Sequence, residues 1–371
     1  MDLTFTAAQQ GFRDEVRAWL REHVPREPLP SMDTAEGFER HREWERTLAE
    51  ARLAAVSWPE AYGGRGADLI DWLIFEEEYW GAGAPGRVSQ NGIFLLAPTL
   101  LAFGTEEQKR AHLGPMGRGD VVWAQAWSEP EAGSDLAAVR ATARRDGDGW
   151  RLNGQKTWSS RAAHADWCFG LFRSEPGSER HRGLTYFLVP LDAEGVTVRP
   201  IAQLDGEAGF AEIFFDDVLV PAEGVLGGAG AGWTIAMATT GSERGLMLRS
   251  PGRFTATARR LIELARTSAD PVLRDAVAGA WCDCEAYRSY TFQAAALMAE
   301  GGELGASSSL MKVFWSELDL RMHELALDLL GPHPSGPWLD GFLFALAGPV
   351  YAGTNEIQRT IIAERVLGLP R

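Results

Sequence analysis

Cysteine is scarce in this sequence: three residues, Cys168, Cys282 and Cys284, in a chain of 371. An odd, sparse set of this kind does not make a disulfide framework and points to a reducing, cytoplasmic setting. Long hydrophobic runs are missing as well. The most apolar stretch, Phe342 to Tyr351, is broken by Gly348 and Pro349 and falls short of the roughly 18 residues that a membrane helix needs. The opening Met-Asp-Leu-Thr-Phe-Thr lacks the basic, apolar, small-residue order of a signal peptide, so no export is expected. Basic charge is in deficit, with 36 Lys and Arg against 51 Asp and Glu and a net charge of -15. That balance disfavours a nucleic-acid or anionic-membrane surface and leaves a small molecule or another protein as the expected partner. Glycine (41) and proline (19) are too few and too aperiodic for a low-complexity chain, yet ample for many tight turns.

What is present describes a large globular protein. Apolar residues make up 45% and charged residues 23%, and at about 150 residues per domain the length suggests two or three domains. Fourteen tryptophans are an excess that calls for a use. Phe12, Val16, Trp19 and Leu20 fall on one stripe of an amphipathic helix that Pro25, Pro28 and Pro30 stop. Further helical stretches are expected around Trp44 and Leu48, from Leu69 to Trp80, and after a capping box at Thr105 to Gln108. Beyond about residue 120 the character changes. Short β-branched and aromatic runs at 167–172, 183–191, 195–199 and 211–220 stand between turn signals such as Asp146-Gly147-Asp148-Gly149 and Asn153-Gly154. This favours an antiparallel barrel or sandwich over a βαβ sheet, and so argues against a Rossmann unit. After the Gly227 to Gly232 run, which we read as a linker, helical periodicity returns through Leu273, Val277, Ala280, Trp281 and Cys284. It continues through Leu310, Phe314, Leu318, Met322, Leu325 and Leu329. Cys282 and Cys284 point to opposite sides of such a helix and read as structural. The acidic run Glu76-Glu77-Glu78 reads as a solvated helix face, and His164 as a local hydrogen-bonding group.

Four segments, Trp58 to Gly66, Ser128 to Asp135, Asn153 to Ser160 and Tyr351 to Arg359, together resemble the acyl-CoA dehydrogenase family over nearly the whole chain. Trp58-Pro59-Glu60-Ala61-Tyr62-Gly63-Gly64-Arg65-Gly66 is similar to its N-terminal loop. Ser128-Glu129-Pro130-Glu131-Ala132-Gly133-Ser134-Asp135 resembles the signature at the entrance to the β domain, with Glu131 where the family usually has Gly. Asn153-Gly154-Gln155-Lys156-Thr157-Trp158-Ser159-Ser160 resembles the second signature. Tyr351-Ala352-Gly353-Thr354-Asn355-Glu356-Ile357-Gln358-Arg359 is similar to the segment that opens the last helix. The resemblance implies an α+β multidomain fold: an N-terminal all-α domain (1–120), a central antiparallel β-barrel domain (121–225) and a C-terminal four-helix-bundle domain (226–371). It implies FAD as cofactor, contacted by Gln125, Ser128, Trp158, Ser160 and Thr354, and a substrate site that includes Ser134, Arg244, Tyr351, Ala352 and Gly353. The implied reaction is α,β-dehydrogenation of an acyl-CoA or acyl-carrier-protein thioester to the trans-2-enoyl product, with electrons passed to electron-transfer flavoprotein.

Two departures from the family pattern matter. Many members carry their catalytic Glu directly after the Tyr, where this chain has Ala352, a residue that cannot take a proton. Either this chain does not abstract one or its base stands elsewhere. Glu243, in Ser242-Glu243-Arg244-Gly245, matches the position used by a minority branch and is the expected base; otherwise it is a solvated helix Glu beside an Arg. The family's Arg-x-x-Phe-Gly and Gln-x-x-Gly-Gly motifs, which reach FAD across a subunit interface, are both missing. Residues 266–271 read Arg-Thr-Ser-Ala-Asp-Pro and 329–334 read Leu-Leu-Gly-Pro-His-Pro. The sequence thus resembles actinobacterial relatives, some of them heterotetrameric, so both a homo- and a hetero-oligomer are in view. Two alternatives accompany the dehydrogenase reading: a weakly active or structural subunit whose partner completes the FAD site, and a flavin oxidase or hydroxylase on the same scaffold. Arg161 stands where the family prefers Asn or a small residue.

Overall fold

In the computed structural model of the chain, residues 4–244, 250–302 and 304–370 are described, except for the side chains of 242–244. Among the described residues five α-helices precede the strands: α1 (Ala7–His23), α2 (Ala35–Glu50), α3 (Leu69–Gly81), α4 (Ala97–Phe103) and α5 (Glu106–Gly117). The expected stripe on α1 buries Val16 and Leu20, and the helix ends before the prolines. Thr105 and Gln108 form the expected capping box, each side chain accepting from the other's backbone N–H.

Eight strands follow: β1 (Trp123–Ala126), β2 (Thr142–Asp146), β3 (Gly149–Ser160), β4 (Trp167–Arg173), β5 (Leu184–Pro190), β6 (Val196–Ile201), β7 (Phe210–Val220) and β8 (Val225–Leu226). They form one sheet in the order β6-β7-β3-β2-β4-β5-β8, with β1 added beside β4. The pairings are antiparallel except that β1 and β2 both meet β4 in parallel. The inner face packs Leu152, Phe172, Phe187, Ile213, Phe215 and Val218, all buried. Asn153-Gly154 is not the turn expected from its sequence. It lies inside β3, where the register with β7 shifts between Leu152 and Gly154. Gly154 adopts φ +139° there, and a Cβ on it would come within 2.5 Å of the Ala141 Cβ, so the glycine serves a bulge.

The remaining helices are α6 (Gly232–Arg244), α7 (Pro251–Ala265), α8 (Pro271–Ala299), α9 (Ser308–Leu330), α10 (Pro337–Ala345) and α11 (Asn355–Ile361). The chain divides into two compact units that do not follow chain order. One comprises residues 1–26, 67–84 and 244–371; the other comprises 27–66 and 85–243. The sheet therefore keeps α2, α4, α5 and α6. On α6, Ile235 and Ala236 are buried, and the Thr239 and Thr99 hydroxyls share a 2.8 Å hydrogen bond. The helical unit holds α1, α3 and α7–α11.

Two sequence expectations change in the helical unit. Glu76, Glu77 and Glu78 are largely buried and paired, not a solvated face. Arg13 donates to Glu77 (2.7 Å) and Glu78 (2.8 Å), Arg17 donates to Glu78, and Arg288 also binds Glu77. Glu76 accepts from the Ser250 hydroxyl and the Trp80 indole, each at 2.9 Å. A run of like charge is tolerated because cations from α1 and α8 converge on it, which local sequence cannot show. On α9, Leu310 and Phe314 are exposed, whereas Met311, Trp315, Leu318 and Met322 are buried. The apolar stripe is thus wider than one face.

Candidate functional site

In the sheet unit the two signatures are physically joined. Lys156 on β3 is fully buried. Its Nζ donates to Glu129 Oε1 (2.8 Å), Leu171 O (2.6 Å) and Trp127 O (3.2 Å), so all three ammonium protons are used. Burial pushes the Lys156 pKa down, and the Glu129 carboxylate opposes that fall. Glu129 also accepts from the backbone N–H groups of Arg140 (2.6 Å) and Ala141 (2.9 Å). Thr157 N–H donates to Ser128 O at 2.9 Å, which sets Ser128 beside β3. Glu131, at the tip of the turn closed by the Glu129–Ala132 bridge, is exposed and pairs with Arg140 at 2.9 Å. Its backbone is not left-handed, so the family's Gly is not required there.

Beyond Thr157 the strand departs from regular geometry. The β3–β7 register shifts between Lys156 and Ser159, and Trp158 takes φ +59°, a left-handed conformation that bulky residues rarely adopt. The indole that results is 60% exposed, with Phe210 edge-on at 6.0 Å. Strain of this kind costs about 1–3 kcal/mol and persists where surrounding structure enforces it. Here the buried Lys156 on one side and the buried Ser159 on the other do so. Ser128, Ser160 and Gln125 are half-buried, and Ser134 is exposed. Arg161 is also left-handed, at φ +53°, a conformation that Asn adopts more readily than Arg. Its guanidinium pairs with Asp33 at 3.0 Å. His164 stands against the Phe38 ring at 5.4 Å. In the preceding loop Trp58 is buried and donates to Ile93 O at 3.3 Å.

In the helical unit, the segment before α11 is clamped to α9. Tyr351 stacks on Trp315 at 6.0 Å. Ala352 and Gly353 are both left-handed, at φ +56° and +80°. Thr354 caps α11, its hydroxyl accepting from Ile357 N–H at 3.3 Å and donating to the Glu356 carboxylate; the Glu356 backbone N–H and that hydroxyl hold the carboxyl below its usual pKa. Asn355, itself buried, accepts from Lys312 Nζ (2.7 Å) and Ser316 Oγ (3.1 Å) and donates to Glu317 (3.2 Å). Gln358 is fully buried and forked between Ala352 O and Gly353 O, 3.3 Å each. Neither Asn355 nor Gln358 was a sequence candidate, because an amide side chain in a helix carries no local mark of what it will meet. Like Lys156 and Glu129 in the two signatures, both lie in a segment that resembles the family without having a role of their own.

The proposed base, Glu243, lies near the end of α6; its side chain and that of Arg244 fall outside the described residues. Cys284 is buried and Cys282 exposed on α8. No helix among the described residues is long and apolar enough to cross a membrane.

Comparison with known proteins places this architecture. The family models for the N-terminal, middle and C-terminal domains of acyl-CoA dehydrogenases match residues 6–120, 124–218 and 230–367. The chain belongs to the acyl-CoA dehydrogenase family and is an oxidoreductase of that type. It is 44% identical to acyl-CoA dehydrogenase IpdE1 of Mycobacterium tuberculosis, over 97% of each chain. Among solved structures it resembles the Tcur3481-Tcur3483 steroid ACAD, with a TM-score of 0.90 and 28% identity over 100% of both chains. It also resembles the ChsE4-ChsE5 complex from Mycobacterium tuberculosis, with a TM-score of 0.85 and 30% identity, again over 100% of both.

Proposed function

We propose that this chain uses FAD to introduce a trans α,β double bond into an acyl-CoA or acyl-carrier thioester, with electron-transfer flavoprotein as the acceptor. The observation that carries the reading is the exposed Trp158 indole on its left-handed backbone, on a strand that binds Ser128 O through Thr157 N–H and ends at Ser160. An aromatic platform next to hydroxyl groups fits a planar heteroaromatic ring with a polar edge. When bound, the flavin supplies the hydride acceptor for the β-carbon. Gln125, Ser128, Trp158 and Ser160 would orient it, and Thr354 is the residue of the C-terminal segment assigned to it by the family resemblance.

Removal of the α-proton needs a carboxylate, and Glu243 takes that role because Ala352 cannot. As the proton leaves, negative charge builds on the thioester oxygen. The Ala352 N–H survives the loss of an acidic side chain and remains able to donate to that oxygen. Ser134, Arg244, Tyr351 and Gly353 are the further residues assigned to the thioester. The likeness to a steroid ACAD supports a steroid-derived acyl group as the first class to try.

The test is anaerobic mixing of the purified flavoprotein with a panel of acyl-CoAs, followed by the loss of oxidised-flavin colour. Glu243→Gln is expected to slow that bleaching by at least about 10²-fold, the lower scale of general-base catalysis, with flavin content retained. An unchanged rate would overturn the base assignment. Fast reoxidation by air would favour oxidase chemistry instead.

A second reading, that the chain works beside a different subunit, is favoured by its missing interface motifs. The helical unit also exposes Leu310, Phe314, Phe344, Val350 and Leu367, a set of large apolar side chains suited to association.

A further inference from the structure

Gln358 is the residue on which this inference turns, and the argument rests on the dehydrogenase reading above. Its side-chain nitrogen spends both hydrogens on two successive carbonyls, Ala352 O and Gly353 O, at 3.3 Å each. Its side-chain oxygen accepts from Ser309 Oγ on α9 at 2.7 Å. With no solvent exposure, the amide has no water to exchange with, so the two bonds act as a fixed fork. Each carbonyl belongs to a different peptide plane, and a donor shared between them sets both planes at once. The turn is bracketed from outside as well. Tyr351 N–H donates to Ala347 O at 3.0 Å and Asn355 N–H to Pro349 O at 2.8 Å. Between those brackets Ala352 and Gly353 hold left-handed backbone, which for alanine costs roughly 1–2 kcal/mol and relaxes if nothing enforces it. Once the plane after Ala352 is clamped and Ala352 is held in its left-handed conformation, both dihedrals included, the direction of the preceding N–H is determined.

We propose that Gln358, anchored by Ser309, is a positioning residue that aims the Ala352 N–H at the thioester oxygen. Gln358 does not touch the substrate; it keeps a strained turn in the one conformation that presents the donor. The Ala352 methyl group can neither take a proton nor donate one, so the backbone N–H is all that this residue can offer to the charge that develops during α-proton loss.

The experiment compares wild type with Gln358→Glu, whose carboxylate repels both carbonyls, and Ser309→Ala, a milder change that frees the fork from α9. The holoenzyme is assayed for kcat and KM on its best acyl-CoA. It is also assayed for α-proton exchange into deuterated water using a thioester without β-hydrogens, which reads enolate formation without hydride transfer. Flavin content and Tm are measured alongside. Misplacing a transition-state donor by about 1 Å costs on the order of 10²-fold. Gln358→Glu is therefore expected to lower kcat and the exchange rate together by roughly 10²-fold, with KM within about threefold and flavin content retained. Ser309→Ala is expected to lower both rates by about tenfold on the same scale, with only a modest fall in Tm from the buried acceptor it leaves unpaired, and it decides the matter if Gln358→Glu does not fold. Exchange rates equal to wild type would overturn the positioning role, as would kcat and KM changing only in step with lost Tm or lost flavin. A wild type that neither exchanges nor turns over any thioester would instead overturn the dehydrogenase reading.

Discussion

Glu45 of α2 is a carboxylate buried in the sheet unit. It accepts from Ser89 N–H at 3.0 Å and from the Ser89 hydroxyl, with Arg87 and Arg161 close enough to act through their charge. Burial outweighs these donors and raises its pKa from 4.5 to about 7. A group that holds its proton more tightly when folded contributes stability that is complete below pH 4.5 and lost as pH rises through about 7. The size of that contribution is on the order of 3 kcal/mol. Glu45→Gln is therefore expected to flatten the fall in Tm between about pH 5 and 7, measured by thermal unfolding across that window. An equally steep fall in the variant would show that other groups carry it. No sequence pattern marked Glu45, because its protonation is set by the residues that enclose it and not by its neighbours in the chain.

At the scale of elements, the loop from Trp127 to Ala141 and strand β3 are held together by Lys156 and Glu129. A buried ion pair does little for stability against an apolar pair, yet removing one partner strands the other charge and costs about 3–5 kcal/mol. Lys156→Met should lower Tm accordingly, and it should loosen the turn at Trp158 enough to reduce bound flavin. Retention of full flavin content with a lowered Tm would separate the two effects. The elements themselves were largely legible. The α1 stripe, the Thr105 capping box and the strands at 167–172 and 211–220 follow from periodicity and punctuation, which are local properties. The Asn153-Gly154 turn and the solvated Glu76 to Glu78 face were misread for a common reason. In each case a partner distant in sequence supplied the deciding contact: Ala141 for Gly154, and Arg13, Arg17 and Arg288 for the glutamates.

On the scale of the whole molecule, the first 120 residues alternate between the units, 1–26 and 67–84 belonging to the helical unit and 27–66 and 85–120 to the sheet unit. The missing interface motifs and the exposed apolar side chains of the helical unit lead to one expectation. Expressed alone, the chain should retain less than one FAD per subunit, and co-expression with a second, different acyl-CoA dehydrogenase chain should restore it, with flavin absorbance and mass by light scattering as the readouts. Full FAD occupancy in a homomer of this chain would remove the need for a partner.

What the sequence by itself determined was the order of helices and strands, the family, and the chemistry implied by two signatures, an Ala at 352 and a Glu at 243. These are carried by residue type and spacing, which need no folded chain to be read. Only the tertiary structure decided that Lys156 binds Glu129, that Trp158 is held exposed on left-handed backbone, that the acidic run of α3 is buried among arginines, and that Gln358 grips the turn at Ala352. Each of these depends on burial. A buried polar group must find a partner in whatever packs against it, and that partner comes from a segment remote in the sequence.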